Sequence, residues 1–209
     1  MQEILYSDWS RREHFEFYSF NDLPLYSITA TIDVTNLYNY TKSHNISFYY
    51  GMIYAATLTM NKIDNFKTRV HNDKVIIYDE LIPSFIVMSK DTELHKIINC
   101  PLCATMIDYD SACKKTVSEK VGYFPSKEEE NMDNYIYISC IPWLTYTSLS
   151  HVMNVDKNDF IPRIDWGKYY SENDRVKMPI TVMTNHRIAD GIHIAKFVNN
   201  LQAYINHLL

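Results

Sequence analysis

The sequence lacks the features that mark membrane-spanning, nucleic-acid-binding and secreted proteins. Its 209 residues contain no apolar stretch of about 18 or more residues, so no transmembrane helix is expected. There is no extended run of Lys or Arg, and the formal net charge is -5, which argues against nucleic-acid binding. The chain starts without a basic region followed by an apolar run, so no signal peptide is expected.

Cysteine is also scarce, and the spacing of the 4 cysteines does not predict a metal site. Cys100 and Cys103 have the spacing of a metal or redox pair, but neither Cys113 nor Cys140 supplies the second pair that a zinc site needs. We therefore expect reduced, structural cysteines, no bound metal, and the cytoplasm as the default location.

Apolar residues are abundant enough to form a sizeable core. Hydrophobic residues make up 46% of the chain and aromatic residues 14%. Because no linker, low-complexity segment or repeat is visible, we expect one domain over residues 1–209.

Local patterns predict strands and helices in mixed order. Segments rich in β-branched or alternating apolar residues predict strands at 26–34, 67–70, 74–78, 81–88, 135–143 and 178–184. Pro142 should end the fifth strand or place it at an edge. His71, Asn72 and Asp73 are predicted to form a hairpin turn, and 127–131 a charged loop.

Helical spacing predicts helices at 9–18, 35–40, 48–63, 108–120 and from 192 onward. Thr35 or Asn36 is expected to cap the second helix and Ser47 the third. Strands in runs with helices on one side of them indicate an α+β fold.

The segment 184–191 (TNHRIADG) contains the clearest candidates for catalytic residues. His186 stands where a strand gives way to a helix, which suits a general base at an exposed element end. Asp190 can lock the turn beneath the imidazole, and Gly191 is expected to permit a tight backbone. A histidine with a structural role at a strand end is the alternative.

Five segments resemble conserved motifs of the chloramphenicol acetyltransferases of the trimeric type, within the CoA-dependent acyltransferases. They are 9–15 (WSRREHF), 74–79 (KVIIYD), 139–143 (SCIPW), 167–170 (GKYY) and 190–202 (DGIHIAKFVNNLQ). The resemblance implies a mixed β-sheet with helices packed on one face. It also implies a homotrimer with an active site at each subunit interface, and acetyl transfer from acetyl-CoA to the 3-hydroxyl of chloramphenicol.

The resemblance assigns a role to each matching residue. His186 falls on the catalytic base, and Ser139 falls on the serine that stabilises the oxyanion. Asp190 and Arg11 match a buried pair that holds the loop of the histidine in place. For Ser139 the alternative is an ordinary strand serine, and for Arg11 a surface arginine.

Further matches border the two substrates. Tyr18 and Tyr26 match residues near the acceptor, and the alternative for Tyr18 is a role in packing only. Lys168 and Tyr169 match a segment that lies against CoA, and Trp143 a tryptophan near the CoA tunnel. The alternatives are a solvated lysine and a tryptophan packed in the core.

Several departures from the family cluster around the acceptor. His95 replaces a phenylalanine in the acceptor pocket, Tyr137 replaces a polar residue or phenylalanine there, and Asp165 stands where threonine is usual. Asn185 replaces a histidine before the base, and Arg187 is expected to point to solvent or to an acid.

Three functions therefore stay open. The first is a chloramphenicol acetyltransferase, and the second is a related acyltransferase with another acceptor. Dihydrolipoamide acyltransferases and condensation domains also use the His-x-x-x-Asp-Gly pattern, but they normally come with carrier domains, and we expect none within residues 1–209. The third is a trimeric binding protein on the same scaffold.

Overall fold

A computed structural model describes residues 1–72, 74–89, 92–152 and 156–209. The strands are β1 (Gln2–Leu5), β2 (Leu25–Asp33), β3 (Thr68–His71), β4 (Lys74–Ile77), β5 (Ile82–Met88), β6 (His95–Asn99), β7 (Tyr135–Ile141), β8 (Arg163–Gly167), β9 (Tyr170–Glu172) and β10 (Arg175–Asn185). The helices are α1 (Arg12–Tyr18), α2 (Thr35–Ser43), α3 (Phe48–Met60), α4 (Asp64–Lys67), α5 (Met106–Glu119), α6 (Lys127–Glu130) and α7 (Gly191–Asn206), with a 3₁₀ turn at Tyr6–Asp8.

Most strands form one mixed, seven-stranded sheet in the order β2-β10-β8-β7-β5-β6, with β9 paired to β10. β7 runs parallel to both β5 and β8, whereas the other pairs are antiparallel. β1, β4 and β3 form a separate antiparallel sheet. The α+β prediction with a mixed sheet is therefore confirmed.

The helices α2, α3, α5 and α7 contact one another and form a layer against the large sheet. α3 lies in the middle of this layer, which explains why it is apolar on nearly all sides. Ser47 caps it, with its hydroxyl accepting from Tyr50 N at 3.5 Å. A Cβ at Gly51 would lie 2.9 Å from Thr41 Cγ2, so glycine permits the close approach of α2 and α3.

β10 is the central strand that positions the candidate site. Every residue from Met178 to Asn185 is buried, because helices cover one face and the segment after β7 covers the other. On that second face Thr181 Oγ1 lies 2.8 Å from Thr29 Oγ1 and donates to Tyr146 Oη at 3.3 Å. Since the strand is fixed on both faces, His186 at its end has a defined position.

Some local predictions were wrong. Val34, not Thr35 or Asn36, is the N-cap of α2, and the Thr35 hydroxyl donates to Asp33 Oδ1 instead. The charged segment 127–131 begins as the short helix α6, which has a capping box of Ser126 and Glu129.

Boundaries also differ in places. α1 begins at Arg12 rather than at residue 9, and β7 ends at Ile141, directly before Pro142, as predicted. In the hairpin turn, Asp73 lies outside the described residues. No helix in the described ranges combines the length and apolar character needed to span a bilayer.

Candidate active site

The imidazole of His186 lies in the turn between β10 and α7. Its backbone N–H donates to Pro24 O at 2.8 Å, which fixes the start of the turn. Nδ1 is buried and lies 3.1 Å from Asp190 Oδ1, but the two atoms are not in hydrogen-bonding geometry. The side chain is 31% exposed, so Nε2 is the ring nitrogen that can meet a substrate.

Two tyrosines hold the ring between them. Tyr18 stacks on His186 with ring centroids 3.9 Å apart, and Tyr26 lies 4.6 Å away on a tilted plane. The Tyr26 hydroxyl donates to Ala189 O at 3.3 Å. Burial, and then the charge of Asp190, raises the pKa of Tyr26 to about 12, so this phenol stays protonated at neutral pH.

Arg11 ties the turn together from α1. Its guanidinium donates to both carboxylate oxygens of Asp190 at 2.7 and 2.5 Å. It also donates to the carbonyl oxygens of His186 at 3.0 Å and Arg187 at 2.9 Å. The hydrogen bonds from Arg11 hold the pKa of Asp190 below its usual range, so the carboxylate is ionised. The pair is partly exposed rather than fully buried, with side chains 12% and 31% accessible.

The start of α7 has an ordinary backbone conformation that does not require glycine. The Asp190 N–H donates to His193 Nδ1 at 2.8 Å, which closes the first turn of the helix. Gly191 has no positive φ, and a Cβ there would meet only Ile28 Cδ1 at 3.8 Å. The expectation that Gly191 permits a tight backbone is therefore wrong.

Both departures beside the base are buried. Asn185 donates to Lys157 O at 2.9 Å and accepts from the Arg187 N–H at 3.0 Å. Arg187 does not point to solvent: its guanidinium donates to Ser19 Oγ at 2.8 Å and to Lys157 O at 2.8 Å. It also stacks over the Phe15 ring, with Cζ 3.8 Å from the centroid. These contacts join α1 and the segment 157–158 to the turn.

Ser139 lies in β7 at the junction of two cavities. One cavity of about 720 Å³ extends along 139–143 and 166–169 to the start of α3. The other, of about 450 Å³, lies among β5, β7, β8 and the segment 124–130. Ser139 lines both.

The larger cavity contains all three residues assigned to CoA. Lys168, Tyr169 and the largely exposed Trp143 line it. Tyr169 packs edge-on against Tyr38 at 5.5 Å and Phe48 at 5.3 Å, so its ring is held at the wall.

The smaller cavity contains only part of the predicted acceptor set. Tyr137 lines it, whereas His95 lines neither cavity. The His95 ring is exposed at the start of β6 and lies 6.5 Å from Phe124, which does line the cavity.

Within one chain His186 is far from Ser139. Thr181, Asp165 and Ser139 form one row across β10, β8 and β7, and His186 lies five residues beyond Thr181. With about 4.8 Å between strands and about 3.4 Å per residue, the two residues are roughly 20 Å apart. The chain therefore carries two separate candidate half-sites, one around His186 and the other around Ser139.

Comparisons with known proteins agree over nearly the whole chain. A family model described as chloramphenicol acetyltransferase matches residues 1–202. Chloramphenicol acetyltransferase 3 of Escherichia coli is 32% identical over 207 residues, covering 97% of this chain and 95% of that protein. The chain belongs to the chloramphenicol acetyltransferase family. It is therefore an acyltransferase.

Other members and neighbours fit this assignment. Chloramphenicol acetyltransferase of Proteus mirabilis is 30% identical, covering 95% of this chain and 91% of that protein. A solved chloramphenicol acetyltransferase superposes with a TM-score of 0.88 at 20% identity, covering 98% of this chain and 99% of that one. Azotobacter vinelandii dihydrolipoamide acetyltransferase shares the fold at a TM-score of 0.68 and 14% identity, covering 93% and 86%.

The half-site around Ser139 in this member of the chloramphenicol acetyltransferase family holds one pair that the motifs did not predict. His151 Nε2 lies 2.6 Å from Oδ2 of the buried Asp165, and both residues line the smaller cavity. Asp165 was visible only as a departure from threonine, and nothing in the sequence around His151 marks it. In the part of the chain that the structure describes, no three His, Cys, Asp or Glu side chains group closely enough to hold a metal ion.

Proposed function

We propose that this protein transfers the acetyl group of acetyl-CoA to the 3-hydroxyl of chloramphenicol, with His186 as the general base. The observation that carries the proposal is the fixed imidazole: Tyr18 and Tyr26 hold its faces, the Arg11–Asp190 pair fixes its turn, and Nε2 is left for a substrate. The names of relatives that match over nearly the whole chain supply the acceptor.

The reaction proceeds directly between the two bound substrates. Nε2 of His186 takes the proton of the acceptor hydroxyl as its oxygen attacks the thioester carbonyl carbon. The tetrahedral intermediate then collapses, the C–S bond breaks, and the imidazolium returns the proton to the leaving thiolate. No acyl-enzyme is needed.

We assign the role of oxyanion donor to Ser139, and its position in β7 supports this assignment. Because it lines both cavities, its hydroxyl lies where a thioester from the larger cavity and an acceptor in the smaller one would meet. We assign CoA to the larger cavity, where Lys168 offers a cation for phosphate and Tyr169 and Trp143 offer aromatic surface.

A second copy of the chain completes each site. His186 and Ser139 of one chain are roughly 20 Å apart, too far to act on one carbonyl carbon. Three copies arranged head to tail would bring the His186 half-site of each copy to the Ser139 half-site of its neighbour. We propose this homotrimer of single-domain chains, spanning residues 1–209. The described cysteines are free, which suits the reducing cytoplasm.

A thiol-release assay with acetyl-CoA and chloramphenicol tests the reaction. His186→Ala should lower kcat by about 10²- to 10⁴-fold, whereas the control His95→Ala, at an exposed position, should not reduce it comparably. Release only with other acceptors would support a related acyltransferase. No release with any acceptor would support a binding protein.

Mixed trimers test the shared site. His186→Ala and Ser139→Ala chains should each be strongly impaired alone, whereas co-expressed chains should regain activity at about a quarter of the sites, where an intact histidine faces an intact serine. Mixed trimers without recovered activity would contradict a site shared between chains.

A further inference from the structure

The cavity of about 450 Å³ contains a buried carboxylate with an unused oxygen. Asp165 is 1% exposed and lines this cavity. Its Oδ2 is engaged by His151 Nε2 at 2.6 Å, but its Oδ1 has no hydrogen-bond partner among the described residues. A buried carboxylate oxygen without a donor is costly, so it points to a donor supplied by a ligand.

The nearest cation in the wall is already committed elsewhere. Arg163 donates to Asp159 Oδ2 at 2.6 Å and to Ile161 O at 3.1 Å, and its guanidinium lies over the Tyr137 ring. Arg163 therefore does not supply the missing hydrogen bond to Asp165.

The opposite wall adds further negative charge. Glu129 and Glu130 line the same cavity. Glu129 accepts from Ser126 N at 2.8 Å and Asn99 Nδ2 at 2.9 Å, and the first of these bonds is the main cause of a lowered pKa, so Glu129 is ionised. Three carboxyl groups thus face the cavity, against one arginine that is already paired and one histidine. Burial raises the pKa of the Asp165 carboxyl, so a cation beside it would stabilise its ionised form.

The unused oxygen is close to the proposed reaction centre. Asp165 is the direct partner of Ser139 across the parallel pair β7 and β8. Neighbouring strands are about 4.8 Å apart, so a donor bound by Asp165 lies within a few bonds of an acceptor hydroxyl beside Ser139.

We propose that the acceptor site, besides the neutral chloramphenicol, also takes alcohols that carry a protonated amine, and that the ammonium donates to Asp165 Oδ1. The inference rests on the proposed function, because it names a further class of alcohol that the same site acetylates. His151 acts as a positioning residue that holds the other carboxylate oxygen. Asp165 thereby extends the range of the site to cationic acceptors.

A panel of aryl amino alcohols tests this, each paired with its neutral N-acyl derivative and including chloramphenicol with its deacylated amine. Thiol release gives kcat/KM for each member, and calorimetry gives Kd. The wild-type protein should favour the amine in at least one pair. Asp165→Asn should reduce that preference by about 10- to 100-fold, the factor expected for one charged hydrogen bond.

Glu128→Gln is the matched control, since it removes an exposed carboxylate of the neighbouring helix α6 that does not line the cavity, and it should leave the preference nearly unchanged. If Asp165→Asn does not fold, Asp165→Thr, the usual residue of the family, replaces it. A wild-type protein that prefers no amine overturns the inference without any variant. If Asp165→Asn turns over acceptors with the same preference for the amine over its neutral derivative as the wild type, only the inference is refuted. If neither the wild type nor the variant shows turnover, but Asp165→Asn binds the amine more weakly than the wild type, the inference is supported and the proposed function is refuted.

Discussion

Arg11→Ala tests whether the orientation of the His186 imidazole matters for activity, because the variant leaves the imidazole itself unchanged. Arg11 does not contact the imidazole nitrogens; it holds the carboxylate of Asp190 and the carbonyl oxygens of His186 and Arg187. Removing the guanidinium leaves four acceptors in the turn without this donor. We expect the imidazole to lose its fixed orientation while its own structure is unchanged.

The size of the effect follows from the exposure of the pair. Breaking a buried ion pair costs about 3–5 kcal/mol, and an exposed pair contributes about 1 kcal/mol or less. Because Asp190 is 31% exposed and Arg11 12%, we expect a loss of about 2 kcal/mol. For a domain of this size that lowers Tm by about 4–8 °C. A base displaced by about 1 Å should lower kcat by about 10²-fold.

Thermal unfolding and thiol-release kinetics measure both effects. Arg12→Ala is the matched control, because Arg12 is the next residue, its side chain is 43% accessible, and it makes only long contacts, at 3.8 Å to Glu16 and 3.3 Å to Ser7 O. In the double variant with Asp190→Ala, the two losses should be smaller than additive, since each change removes the same pair. Wild-type Tm and kcat in Arg11→Ala would refute the reasoning.

The same pair predicts a pH dependence of stability. Arg11 lowers the pKa of Asp190 below 3.8 in the folded protein, so the stabilisation is complete above pH 3.8 and is lost as pH falls through the lowered folded-state value. The gap in Tm between the wild type and Asp190→Asn should therefore narrow in acid.

Two further variants test the remaining parts of the site. Ser139→Ala should raise the activation barrier of acetyl transfer by about 2.7–4 kcal/mol, which is measured as a lower kcat with little change in KM. Ser139→Thr keeps a hydroxyl, so equal losses of kcat in the two variants would argue against a hydroxyl donor. Arg187→Ala should destabilise the protein by about 1–3 kcal/mol in thermal unfolding, because Ser19 and Lys157 lose a buried donor; an unchanged Tm would mean that these contacts contribute nothing.

The elements that the sequence predicted well have strong local signals. Ser47 before an apolar segment identified α3, and the β-branched run before Asn185 identified the end of β10. β8 was missed because its five residues include Arg163 and Asp165, which break the apolar pattern although the strand is largely buried. The polar Asp165 is tolerated there because His151, which lies on a distant loop, contacts it.

The motifs predicted the site residues but not their arrangement. Nothing local shows that Arg187 is buried, because its partners Phe15, Ser19 and Lys157 are distant in sequence. For the same reason the motifs could not exclude His95 from the cavity. Local patterns do not encode contacts between distant segments, and those contacts decide which side chains face a cavity.

The continuous burial of β10 has a consequence for how neighbouring centres communicate. Met178, near one end of this strand, borders the larger cavity, while His186 follows directly after the other end. In the proposed trimer, β10 thus connects the wall of the larger cavity in one centre to His186, the proposed base of the neighbouring centre. In that arrangement, we expect a displacement of β10 along its axis to disturb two neighbouring centres together.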